Sequence, residues 1–84
     1  MRAKVYVSGI EKYSADSESV KFSAISKNGM YPSDGSDEDN TYAKFSPMAH
    51  FNINIANPAL VGQFALGDKF YVDFTPVEDA TQKL

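Results

Sequence analysis

"AHFNINIA", residues 49–56, alternates without a break: Phe51, Ile53 and Ile55 fall on one side, His50, Asn52 and Asn54 on the other. Successive side chains of a strand point to opposite faces, so this pattern predicts a strand with one apolar and one wet face. The same period recurs on either side of it. In "AKVYVSGI", residues 3–10, Ala3, Val5 and Val7 oppose Lys4, Tyr6 and Ser8. In "SVKFSAISK", residues 19–27, Val20, Phe22 and Ala24 are the inward set, and in "KFYVDF", residues 69–74, it is Phe70, Val72 and Phe74. The polar stretch 11–18 between the first two strands predicts a turn and a hairpin. Asn28-Gly29 marks a second turn, because both residues tolerate positive φ.

The segments between strands carry the remaining expectations. "TYAKF", residues 41–45, reads as a short third strand broken by Ser46-Pro47. In "NPALVGQF", residues 57–64, Asn57 suits an N-cap and Pro58 a first helical position, with Leu60 and Phe64 one turn apart. Gly62 limits this helix to one or two turns. The order strand, strand, long loop, strand, strand, short helix, strand predicts an all-β fold with one short helix. A small five-stranded antiparallel barrel or sandwich satisfies it. An oligonucleotide-binding-type barrel matches imperfectly, because that fold sets its helix between strands three and four.

At 84 residues the chain is read as one domain, with an acidic loop at 31–41 and a polar tail at 77–84. A chain this short buries only about 60% of its unfolded surface, so its core is thin and a homo-oligomer would bury more. There is no Cys, which excludes thiol redox chemistry and thiolate metal sites. No apolar run approaches the length needed to span a bilayer, and the N-terminus lacks the apolar core of a signal peptide. The expectation is a soluble, intracellular product with no membrane partner.

Taken together, "YPSDGSDEDNTYAKFSP", "NPALVGQF" and "GDKFYVDFTPVE" resemble a group of short β-rich proteins of tailed bacteriophages. In that group an alternating N-terminal hairpin precedes a Thr-Pro or Ser-Pro step, an Asn-Pro-x-Leu segment and a terminal Tyr-Val-Asp-Phe strand. The resemblance implies a phage origin and a small β fold. It places the protein in the cytoplasm of an infected bacterial host or in the virion. It brings no catalytic residues and names no partner.

Chemistry of reaction has little to stand on. The one His, His50, would need a nucleophile and an acid beside it; Asp73 on a neighbouring strand is the candidate acid, and a surface His on a wet sheet face is the simpler reading. No P-loop or dinucleotide fingerprint is present. The expectation is a non-enzymatic protein without cofactor or metal.

Two binding readings compete. Asp34, Asp37, Glu38 and Asp39 crowd into six positions, and without them the remaining charge is about +1 rather than −3. Their spacing does not match a calcium-binding loop. Such a loop can steer a basic protein partner, with Tyr31 and Tyr42 at its ends as anchors. The bland alternative is a solvated loop that the two tyrosines pin to the fold. The second reading is single-stranded nucleic acid. Lys4, Tyr6, Lys21, Lys44, Lys69 and Tyr71, together with Tyr42, interleave Lys and Tyr on the faces opposite the expected core, as stacking platforms in a basic groove require. Lys and Tyr also suit any exposed strand face, and the acidic loop would have to point away from such a groove.

Overall fold

The structure is a computed structural model that describes residues 1–78. Four antiparallel strands form one open sheet: β1 (Arg2–Ser14), β2 (Ser17–Ala24), β3 (His50–Ile55) and β4 (Lys69–Asp73), in the order β3-β2-β1-β4. The first and last strands are therefore neighbours, Ala3 opposite Val72 and Val5 opposite Phe70.

Register fixes two chemically distinct faces. Directly opposed residues of antiparallel strands share a face. Val5, Val7 and Ile10 thus share one with Ala24, Phe22 and Val20, and across β2 with Phe51, Ile53 and Ile55. The core is Ala3, Val5, Val7, Val20, Phe22 and Ile55. Phe22 is its centre, stacked on Phe51 with ring centroids 4.9 Å apart and meeting Phe64 and Phe70 edge-on at 5.6 and 6.2 Å. The opposite face carries Lys4, Tyr6, Ser23, His50, Asn52, Lys69 and Tyr71.

The inward sets of the predicted strands fall on one face as expected, but the connections differ. The hairpin is tighter, because β1 runs on to Ser14 and only Ala15 and Asp16 lie between the strands. Extra residues at Ser8 and Tyr13 bulge β1 and keep Ile10 and Lys12 in phase with β2.

Residues 41–45 are not a strand. Thr41 makes one reciprocal pair with Arg2: its N–H donates to the Arg2 carbonyl and its Oγ1 accepts the Arg2 N–H. Phe45 then turns the chain at φ 62°, so pairing stops.

Residues 57–64 are successive turns rather than a helix. Asn57 does cap, its Oδ1 accepting the Ala59 N–H, but Gly62 at φ 87° leaves helical backbone within a turn and a half. Phe64 consequently packs on the core while Leu60 stays half exposed.

Nor does the sheet close: a barrel would require β3 and β4 to pair, and they lie at opposite edges with two strands between them. Among the described residues the fold is four strands in one open sheet with no helix, in place of the five-stranded barrel or sandwich. Residues 79–84 of the expected polar tail lie outside the described residues.

Candidate functional site

The acidic loop is built around Asp37, which is buried. Its Oδ1 accepts the backbone N–H groups of Asp39 and Asn40, and its Oδ2 accepts the Lys27 N–H, the Tyr31 hydroxyl and the Asn40 Nδ2. Burial pushes this carboxyl up, but the hydrogen bonds from Asn40, Asp39 and Lys27 outweigh it and hold it below the ordinary range. Asn40, with no exposed surface, ties the loop to the sheet: its Oδ1 accepts the Lys4 N–H at 2.8 Å and its Nδ2 donates to the Ile25 carbonyl at 2.9 Å. The side chain thus spans the gap where β2 leaves β1 and completes backbone pairing there.

The other acids are also engaged within the chain. Asp39 meets Lys4 Nζ at 3.4 Å and accepts the Tyr71 hydroxyl at 2.9 Å. Glu38 pairs with Lys27 Nζ at 3.1 Å while its own carboxylate stays mostly exposed. Asp34 accepts the Ser36 N–H, closing a local turn, and that bond lowers its pKa. Of the residues expected to meet a partner, Asp37 therefore holds the loop together, and Asp34 and Glu38 are those that present charge to solvent. Tyr31 donates to Asp37 and packs beside Phe45. Tyr42 packs against the core, its hydroxyl buried and without a hydrogen-bond partner among the described residues. Burial raises the pKa of both hydroxyls, with the Asp37 charge adding to it.

On the polar face the structure brings Lys4, Tyr6, Lys21, Lys69 and Tyr71 together, and it sets Lys44 in the loop, off the sheet. Asp39 sits among them. Its hydrogen bond from Tyr71, then burial, raise the Tyr71 pKa. The Arg2 guanidinium lies 4.4 Å from the centroid of the same ring and makes a two-pronged contact with Asp73 at 2.8 and 3.1 Å, which lowers the Asp73 pKa. Two cations, Arg2 and Lys4, and one stacking ring, Tyr71, are thereby occupied, and the Asp39 carboxylate bridges Lys4 and Tyr71.

Signals that sequence reading missed lie on the apolar face. Glu18, read as part of a polar turn, is buried there opposite Ile55, and its Oε1 accepts the Gly62 N–H at 2.9 Å. It pins the segment 57–67 across the core, where Val61 and Phe64 cover the sheet. The cover is partial. Ile53, Phe70 and Phe74 are 46%, 39% and 56% exposed, and Leu60 and Leu66 of the covering segment are 51% and 68% exposed. The molecule measures 48 × 38 × 16 Å.

Among the described residues, no catalytic constellation assembles around His50. It is on β3 and Asp73 on β4, at opposite edges of the sheet, and Asp73 is bound to Arg2. Among the described residues, no group of three or more His, Asp or Glu side chains gathers as metal ligands. Among them too, no helix is long and apolar enough to cross a membrane. No family model, curated protein or solved structure matches this chain.

Proposed function

We propose that this protein is a non-enzymatic accessory protein that acts by binding protein, and that it docks its partner on the open apolar side of the sheet. The observation that supports this is the incomplete second layer. A sheet hydrophobic on one face is stable when that face is packed against another layer, and here one irregular segment supplies that layer. Ile53 and Phe70 leave apolar side-chain surface open on this face beside the covering segment, and an exposed apolar patch on a small protein is characteristic of an interaction surface. The acidic loop serves this reading as a brace for β1 and as a source of steering charge at Asp34 and Glu38. The resemblance to small proteins of tailed bacteriophages is the ground for seeking the partner among virion, replication or host proteins.

The experiment is a titration with the dye 8-anilinonaphthalene-1-sulfonate at protein concentrations low enough to keep copies apart. The reading expects strong fluorescence enhancement, reduced in Ile53→Lys and Phe70→Lys. A protein dark at every dilution would refute it.

Single-stranded nucleic acid is the second reading, favoured by Lys21 and Lys69, for which no ion pair is found among the described residues, and by Tyr6 opposite Lys69 on the same face. Fluorescent oligothymidylate at low salt separates the two. Saturable binding that weakens steeply with salt supports the polar face. Its absence where binding should be strongest removes that face from consideration.

A further inference from the structure

We infer that β4 is an interface strand: two copies of this chain join antiparallel at their β4 edges, about a twofold axis at Tyr71, into one continuous sheet. The inference goes beyond the apolar docking surface and does not depend on it.

Backbone direction comes first. The Phe74 N–H donates to the Met1 carbonyl and the Val7 N–H to the Asp68 carbonyl. Hydrogen-bonded pairs alternate along an antiparallel ladder, so between these ends Phe70 and Val72 turn their amides and carbonyls toward Val5 and Ala3 of β1. Those of Lys69, Tyr71 and Asp73 point away, over the free edge of the sheet. Among the described residues none of these groups has a hydrogen-bond partner. Such a row is a template for another strand. The usual devices that blunt an edge are Pro, a bulge or Lys. The β1–β4 ladder has no register shift and no Pro lies between Lys69 and Asp73, so Lys69 is the one such device here.

Side chains select a copy of the same strand. Lys69 and Asp73 stand two residues to either side of Tyr71 and carry opposite charge. With Tyr71 opposite the partner's Tyr71, antiparallel pairing sets Lys69 opposite the partner's Asp73 at both ends of the contact. The lysine that would repel a like strand is thereby matched. No ion pair is found for Lys69 among the described residues. Asp73 takes one N–H from Arg2 on each oxygen, and a carboxylate accepts about four, so room remains for the lysine. On the other face Phe70, 39% exposed, comes opposite the partner's Val72. Opposite charges and apolar pairs set directly across strands both strengthen pairing.

The other edge offers no such match. The Ala24 N–H donates to the Ala49 carbonyl, and by the same alternation β3 points the groups of His50, Asn52 and Asn54 outward. None of these is a carboxylate to meet Lys69. A β3-to-β4 contact would also be head to tail and would propagate, whereas the twofold contact closes after two copies. Its axis runs through the sheet, so both apolar faces end on the same side.

The test is sedimentation equilibrium of the full chain over a wide concentration range, with amide exchange read by nuclear magnetic resonance on the same samples. The expected result is a reversible dimer in which the Lys69, Tyr71 and Asp73 amides exchange about tenfold slower or more than in dilute samples, while those of His50, Asn52 and Asn54 stay fast. Lys69→Glu and Asp73→Lys should each weaken the dimer about tenfold or more, because each sets like charges opposite at both ends of the contact. An equimolar mixture of the two variants restores both opposite-charge pairs and should associate more tightly than either alone. A monomer at every concentration would overturn the inference. So would a dimer that protects the β3 amides instead, one that neither variant weakens, or a mixture no tighter than its components. If circular dichroism shows Asp73→Lys unfolded by loss of its Arg2 contact, the wild-type exchange pattern and Lys69→Glu alone decide.

Discussion

Replacing Asn40 by Ala should cost this protein a large share of its stability, although Asn40 belongs to neither a strand nor the apolar core. Its side chain alone satisfies the Lys4 N–H at 2.8 Å and the Ile25 carbonyl at 2.9 Å, and it donates a third bond to Asp37 at 3.2 Å. A buried backbone group left without a partner costs about 1–3 kcal/mol. Both sites are partly open to water, so the lower half of that range applies to each, and the sum is about 2–4 kcal/mol. Total stability of a small domain is about 5–15 kcal/mol, and a domain of this size loses roughly 4–8 °C in Tm per kcal/mol. The assay is urea and thermal unfolding followed by far-ultraviolet circular dichroism, with hydrogen exchange at the Lys4 amide as the local reporter. Asn40→Asp sharpens the test. It keeps the shape and the Oδ1 acceptor but sets a carboxylate oxygen where the donor faced Asp37, so its penalty should shrink as pH falls through the carboxylate range. A loss below about 0.5 kcal/mol in Asn40→Ala, within the span of ordinary surface changes, would refute the claim that this side chain joins loop to sheet.

Acid should destabilise the fold below about pH 4. The carboxyls of Asp34, Asp37, Glu38 and Asp73 are held below their ordinary values, so their contribution is complete above those values and is lost as pH falls through the lowered ones. Unfolding midpoints measured from pH 7 to pH 2 check this, and a flat profile would contradict it. At the other end, Tyr31, Tyr42 and Tyr71 are raised above 10.0, so the stability they confer is present below pH 10 and lost as pH climbs through the higher folded values. Tyrosinate absorbance should show these three titrating late. Gly35→Ala should cost about 3 kcal/mol or more by denaturant titration, since Gly35 sits at φ 75° and an added Cβ would fall inside the Phe45 ring. Glu18→Ala should cost about 1–3 kcal/mol and speed amide exchange at Gly62, while Glu18→Gln, which keeps a carbonyl acceptor, should cost less.

The strands were legible because their signal is local. Val5, Val7, Val20, Phe22, Ile55 and Val72 alternate in sequence and lie on one face of the sheet in the fold. What the pattern could not carry was which strands meet. Period-two alternation is satisfied equally by an open sheet and by a barrel, and the order β3-β2-β1-β4 depends on pairing between the two ends of the chain. Asn57 also read true as a cap, yet a cap starts a helix without sustaining it, and Gly62 took a backbone angle that helices exclude. The acidic loop was visible as a charge cluster. That Asp37 faces inward, gathering amides and a tyrosine hydroxyl, depends on Lys27, Tyr31 and Asn40 arriving from three points of the chain. Glu18 had no signal in a polar stretch, because its partner is a backbone amide 44 residues on.

The central claim is that the apolar side of this sheet, rather than its Lys and Tyr side, meets the partner. Photochemical carbene labelling of the protein, with and without saturating 8-anilinonaphthalene-1-sulfonate, tests it directly with resolution to single residues. The account predicts that Ile53, Leu60, Phe70 and Phe74 lose labelling when the dye binds while Tyr6, Lys21 and Lys69 keep it. No protection of either face, or protection confined to Tyr6, Lys21 and Lys69, would contradict it.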